Sequence, residues 1–322
     1  MGRLRAVATA LCLAVLALPC AAAEDWPARP ITIVVPFAAG GTTDIVARIL
    51  SQHLSARLGQ SVIIENLGGA GGTLGANQAA KATPDGYTIF MATIAHTMAP
   101  GIYKTLPYNF ETDFEPITVA AYVPNIVIVH PKVPAKTIGE LLAYIRANPG
   151  KVNYGSAGIG STEHMSGELF AAMANLKIEH VPYKGGAPMM ADLIAGHIEM
   201  SIETSGSASP HIKSGGVRAL AVSTAKRSPA FPDLPTLAEA GLTGYDVTTW
   251  YGLLAPKGTP PAIRERLYKE LAEILRTPEI AARFSDIGAS PGGETPAEFA
   301  AFIKSETAKW VKLAKEAHIS VE

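Results

Sequence analysis

Apolar positions along the chain follow two alternating periods. Ile31–Val35 is a continuous β-branched run of the kind that forms a buried strand. After Gly40-Gly41-Thr42-Thr43 the apolar residues Ile45, Val46, Ile49 and Leu50 fall at helical spacing, so a helix is expected from Asp44 to Leu58, stopped by Gly59. Ser61–Glu65 reads as the next strand, leading through "NLGGAGGTLGANQAA" into a helix of small residues, and Tyr87–Ala92 as another. The run 125–130 is a buried strand, and Thr137-x-x-Glu140 is a capping box that opens a helix to Ala147. "KVNYGSAGIGSTEHMSGELFAAM" repeats the opening design of strand, glycine loop and helix; Val217–Val222 is a further strand. Thr259 before Pro260-Pro261 starts a helix with the stripe Ile263, Leu267, Leu271, Ile274, and Thr295-x-x-Glu298 caps a last helix carrying Phe299, Phe302 and Ile303.

This alternation predicts α/β layers with largely parallel sheets. With no flexible linker in sight, a chain of two lobes must cross between them on ordered segments. Phe114–Val129 and Asp246–Ala255 are the best crossing candidates. The first lobe would then be discontinuous, residues 24–122 and 249–322, with the C-terminal helices packing back on it, and the second would span 123–248.

Composition narrows the class. At 322 residues and 48% hydrophobic the chain can bury one large core or two ordinary ones. Arg3 and Arg5 precede the apolar run Ala6–Leu18, and Ala21-x-Ala23 closes it, which predicts a secretory signal over residues 1–23 and a periplasmic mature chain. Pro19 argues against lipid attachment at Cys20; both cysteines, Cys12 and Cys20, fall in that segment, so thiol chemistry and disulfides are not expected. The 27 basic and 28 acidic residues nearly balance, and loss of Arg3 and Arg5 tips the chain further negative, which leaves no basic stripe for nucleic acid. The eight histidines are scattered without metal-ligand spacing, and neither a metal nor a cofactor is expected. One G-x-S-x-G occurs at Gly288–Gly292, but Pro291 lacks the N–H that an oxyanion hole needs, and the residues before it read as helix.

The candidate chemistry lies in glycine loops. In Pro36–Asp44 a strand turns through Ala39, Gly40 and Gly41 onto a helix start carrying Thr42, Thr43 and Asp44, with Phe37 beside it. Free backbone N–H groups, two hydroxyls and the helix dipole suit an anion, although the same residues also suit an ordinary β–α turn. "YGSAGIGSTEH" is the second such loop: Gly158, Ile159 and Gly160 form the turn, Ser156 and Ser161 add hydroxyls, and His164 sits one turn into the helix. Neither loop holds a lysine or arginine, which favours a reversibly held carboxylate over a polyphosphate. Thr93 and His96 fall at a strand's C-terminal end, where open α/β sheets bind ligands, and Tyr183 could wall a cleft.

The pieces "WPARPITIVVPFAAGGTTDIVAR", "VIIENLGGAGGTLGA", "PDGYTI", "VNYGSAGIGSTEHMSGELF", "HVPYKGGAPMMADLIAGHIEM", "RALAVSTAKRSPAFPDLPTLAEAG" and "YGLLAPKGTP" stand in an order that resembles the Bug-type (tripartite tricarboxylate transporter) extracytoplasmic solute-binding proteins. The resemblance covers essentially the whole chain from Trp26. It implies a two-lobed type II periplasmic-binding-protein fold with two crossing hinge strands, closing on a small carboxylate; a mono- or dicarboxylate, an aromatic acid among the candidates, and a monomeric protein are expected. The loops matching Ala39–Asp44 and Ser156–His164 would hold the carboxylates, largely by backbone amides, with Thr93–His96 lining the first lobe. Delivery would be to the membrane permease subunits of a tripartite transporter. The chain departs from the family pattern at Glu203-Thr204 in the cleft wall, where the family commonly has Asp-Asn, and at Ala99 before Pro100. A ligand-sensing module serving a sensor kinase ectodomain is an alternative reading, and so is a periplasmic enzyme relying on His96 or His164.

Overall fold

The computed structural model describes residues 26–316 and 319–320; the segment read as a signal, residues 1–23, lies outside them. The chain runs β1 (Ile31–Val35), α1 (Thr42–Leu58), β2 (Val62–Asn66), a short 3-10 turn at Ala70–Gly72, α2 (Thr73–Ala80), β3 (Thr88–Thr93), α3 (Ala95–Ile102) and β4 (Phe114–Val129). It continues with α4 (Ile138–Ala147), β5 (Asn153–Ser156), α5 (Thr162–Ala174), β6 (Glu179–Pro182), α6 (Gly186–Ala195), β7 (Met200–Thr204), α7 (Ser205–Lys213) and β8 (Arg218–Val222). The last part holds β9 (Thr248–Pro256), α8 (Pro261–Leu275), α9 (Pro278–Asp286), β10 (Ser290–Pro291) and α10 (Pro296–Glu316).

The strand path is β2-β1-β3-β9-β4-β7-β5-β6, with β8 and β10 also paired to β4. Pairing is parallel at the two flanks, β2-β1-β3 and β7-β5-β6, as the β–α alternation predicts. It is antiparallel wherever β4 or β9 takes part. That departure from a largely parallel sheet has a simple cause. One strand leaves the first lobe and another must return to it, so the two run in opposite directions.

β4 is the crossing element. Its first part, Phe114–Pro124, pairs with β9, and its second part, Asn125–Val129, pairs with β7. All 16 of its residues are extended, and from Ile117 onward nearly every one is buried because both faces are covered. Such a strand reads as a continuous apolar run rather than an alternating one. Separate cores flank it. Ile33, Val46, Leu50, Leu267, Leu271 and Phe284 join α1, α8 and α9 on one face of the first lobe, while Ile126, Ile128, Met189 and Leu193 pack α6 against the second lobe. The C-terminal helices therefore return to the first lobe. Phe299 of α10 meets Trp250 of β9 edge-on at 5.6 Å, and Phe302 meets Tyr122 of β4 at 6.1 Å. No helix among the described residues is long and apolar enough to cross a membrane.

Candidate functional site

A cavity lies between the lobes. The first lobe supplies Phe37, Gly41, Thr42, Thr43 and Thr93, and β9 adds Thr249 and Tyr251. The second lobe supplies Ala157, Thr162, Glu163, Gly186, Glu203 and Thr204. These positions are not random along the chain. They include the N-cap or first-turn residues of four helices: α1 after Gly41, α5 after Ser161, α6 after Gly185 and α7 after Thr204. The first-turn N–H groups of a helix have no partner within it, and each N-terminus carries about half a positive charge. No lysine or arginine lines the cavity. Its volume is about 20 Å³, about enough for one water molecule, so the lobes must part to admit any organic molecule.

Three titratable side chains face this space. Glu203 is 1% exposed and Glu163 is 6% exposed. Burial raises the pKa of Glu203, against the pull of hydrogen bonds from Ser207 and Thr204. Burial also raises Glu163, to about 8, and negative charge on Glu203 adds to the rise; the Ser161 hydroxyl and the backbone N–H groups of Glu163 and Ala157 oppose it. Burial pushes Tyr251 well above its ordinary range, helped by charge on the two glutamates, so its hydroxyl remains a donor.

A relay of hydroxyls ties the lobes together across the cavity. The Ser207 N–H donates to Thr42 Oγ1 at 2.9 Å, Thr42 Oγ1 lies 2.8 Å from Thr204 Oγ1, and the Thr204 hydroxyl donates to Glu203 Oε1 at 2.7 Å. Two glycines allow the backbones to meet. A Cβ on Gly71 would stand 2.3 Å from the Ile159 carbonyl oxygen, and one on Gly185 would stand 2.9 Å from the Ala38 Cβ. Tyr103 bridges the same seam, its hydroxyl donating to the Ile159 carbonyl at 2.8 Å.

Residues 46–319 match the TctC family, described as the tripartite tricarboxylate transporter family receptor. The chain belongs to this family. A Rhodopseudomonas palustris protein solved with adipate is 40% identical, with a TM-score of 0.89 over 92% of this chain and all of that one. MatC from the same organism, solved with bound malate, is 33% identical, with a TM-score of 0.86 over 89% of this chain and 99% of its own. Protein BugT of Bordetella pertussis is 36% identical over 91% of both chains. The fold is thus that of the Bug-type periplasmic binding proteins, BugD among them at a TM-score of 0.89. TctC proteins are transporter receptors and not enzymes.

Of the residues singled out in the sequence of this TctC chain, Phe37, Gly41, Thr42, Thr43, Thr93, Glu203 and Thr204 come together at the cavity. The others stand behind it or beside it. Gly40 donates its N–H to Asp44 Oδ2, and the Asp44 carboxylate turns back to Arg48 and to Asn66, bracing the α1 turn next to Ala39. His96 is buried, with Nδ1 accepting the Thr93 N–H at 3.0 Å. Ser161 caps α5 by accepting the His164 N–H, and His164 Nδ1 accepts the Gly160 N–H at 3.2 Å. Ser156 Oγ lies 2.6 Å from His180 Nε2 and accepts the Gly158 N–H, and the His180 ring packs on His164 at 4.2 Å. These residues shape the second loop from behind. Ile159 is 40% exposed at the outer seam, and the Tyr183 hydroxyl donates to Asp192 rather than into the cleft.

Ala157, Thr162 and Glu163 lie inside the expected Ser156–His164 loop but were not singled out within it, and Gly186, Thr249 and Tyr251 were not expected at the site. A period-2 reading of the expected crossing strand would have found Thr249 and Tyr251, which share one side. Glu163 carried no such signal, because an acidic residue in a first helical turn is ordinary dipole complement. The motif serine, Ser290, sits in the two-residue β10 against Tyr122. Among the described residues no group of three or more His, Cys, Asp or Glu side chains could hold a metal ion.

Proposed function

We propose that this chain is an extracytoplasmic solute-binding protein that captures a small carboxylate between a first lobe of residues 24–122 and 249–322 and a second lobe of 123–248. It then presents its closed form, as a periplasmic monomer, to the membrane permease subunits of a tripartite tricarboxylate transporter. The observation that carries the reading is the set of four helix N-termini bordering one interlobe cavity that has no cationic side chain. Amide donors and dipoles suit an anion that must be released again, since they bind without the strength of a guanidinium pair. The adipate- and malate-bound relatives support the same ligand class. Opening would proceed by twisting β4, which pairs with β9 in one half of the sheet and with β7 in the other, together with the chain entering β9 beside it. The test is a thermal-shift and calorimetric screen of ligand-free protein against mono-, di- and tricarboxylates with and without further polar groups. A binder at a hundredfold excess over its Kd should stabilise the protein by about 2.7 kcal/mol. A screen without any stabilising acid would overturn the reading.

A further inference from the structure

The two walls of the cavity differ in polarity. The first-lobe wall offers donors: the opening turn of α1 at Gly41–Thr43 and the hydroxyl of Thr93, joined by Tyr251 of β9. The second-lobe wall offers two carboxyl groups. Glu203 Oε1 accepts from the Thr204 N–H at 2.9 Å, from the Thr204 hydroxyl at 2.7 Å and from the Ser207 hydroxyl at 2.5 Å. Glu203 Oε2 is buried and accepts from nothing. It lies beside Gly186, where a Cβ would come within 3.3 Å of it. Glu163, 6% exposed, lines the same wall from the first turn of α5.

The second-lobe wall thus already carries two buried carboxyl groups of the protein's own. A ligand carboxylate placed against that wall would meet two like groups and find the Thr204 and Ser207 donors engaged by Glu203. A buried acceptor without a partner calls instead for a donor, and a pair of carboxyls calls for a positive one. We propose that Glu163 and Glu203 recognise a protonated nitrogen, so that the ligand is a small amino-carboxylate whose carboxylate meets the α1 turn and whose ammonium sits against the two glutamates. This rests on the carboxylate-capture reading above and narrows it. An ammonium brings three donors, enough to reach Glu203 Oε2 and Glu163 together. No lysine, arginine or histidine lines the cavity to compete for them, and Tyr251 is the remaining titratable group that lines it.

The experiment compares matched acids by calorimetry on ligand-free full-length mature protein at pH 7. The probes are propanoate with alanine and 3-aminopropanoate, and butanoate with 4-aminobutanoate, 4-hydroxybutanoate and succinate; adipate and malate serve as further dicarboxylates. An amino-carboxylate is expected to bind at least tenfold tighter than its nitrogen-free and dicarboxylate counterparts. That preference should fall at least tenfold in Glu163→Gln and in Glu203→Gln, with circular dichroism unchanged in at least one of them. Tighter binding of a dicarboxylate or hydroxy acid, or a nitrogen preference that survives in the folded Gln variants, overturns the inference and leaves carboxylate capture standing. Binding of no acid, with or without nitrogen, overturns both.

Discussion

Gly71→Ala separates closing from folding. Gly71 has φ +61°, in the left-handed region, and its missing Cβ is what lets the 3-10 turn of the first lobe touch the second glycine loop. An alanine there would set its Cβ 2.3 Å from the Ile159 carbonyl oxygen and 2.9 Å from the Gly160 carbonyl carbon, both backbone atoms that cannot swing aside. The left-handed strain costs roughly 1–2 kcal/mol in the open and closed forms alike. The clash exists only when the lobes meet, and relieving it also breaks the 2.8 Å bond from Tyr103 to Ile159, worth about 1 kcal/mol. With lost packing along the seam, the closed form should lose about 3 kcal/mol, close to a hundredfold in ligand affinity. Gly59 provides the matched control, with φ +68° and nothing within 4 Å of a built Cβ. Calorimetric titration with the tightest acid of the screen, beside urea unfolding, gives both numbers. Gly59→Ala should lose stability and keep affinity; Gly71→Ala should lose affinity as well. Affinity within threefold of wild type in folded Gly71→Ala would refute the reasoning.

Other expectations concern the buried polar groups. Thr42→Val removes the acceptor of the Ser207 N–H and the link to Thr204, so closure should weaken by about 1–3 kcal/mol, read as a five- to hundredfold rise in Kd with an unfolding midpoint that barely moves. Burial lowers the His96 pKa from 6.5 to about 4. The stability tied to its neutral form is complete above pH 6.5 and is lost as pH falls towards 4, about 3 kcal/mol in all; an NMR titration that finds His96 protonating near 6.5 would contradict this. Glu163 runs the other way, from 4.5 up to about 8, so its share of stability is complete at low pH and lost as pH rises through 8. Glu163→Gln should therefore flatten the fall in melting temperature between pH 5 and 8.5, and an unchanged slope would count against the assignment.

Much of this architecture is written in local pattern. The crossing candidate Phe114–Val129 coincides with β4, but only its last part, from 125, reads as an apolar strand, because Glu115, Pro116, Thr118 and Pro124 interrupt the pattern before it. The helix starts at Thr137, Pro261 and Pro296 follow from capping boxes and prolines. The sequence pattern did not yield α3, which carries Pro100 inside it, or α7, whose Ser-Gly-Ser-Ala-Ser-Pro reads as a turn. Tertiary burial holds both as helices against their propensities. At the site, the α1 turn was legible because glycines before a helix advertise free amides. Glu163 was not, since its role depends on Glu203, forty residues away in sequence, being buried beside it. Nor could spacing show that His96, His164 and Ser156 work behind the cleft, because hydrogen-bonding residues look alike whether they face a ligand or a neighbouring loop.

The register of β4 against β9 has a consequence for engineering. Tyr122 stands opposite Trp250 and Val123 opposite Thr249, so the chain exits and re-enters at adjacent points of one antiparallel pair. The intervening 125 or so residues are spliced into what would otherwise be a plain β-hairpin, and a tight turn could join its two arms. Half of the binding wall is in that sense a removable cassette, which could be exchanged between relatives while the amino- and carboxy-terminal parts of the chain keep their shared core.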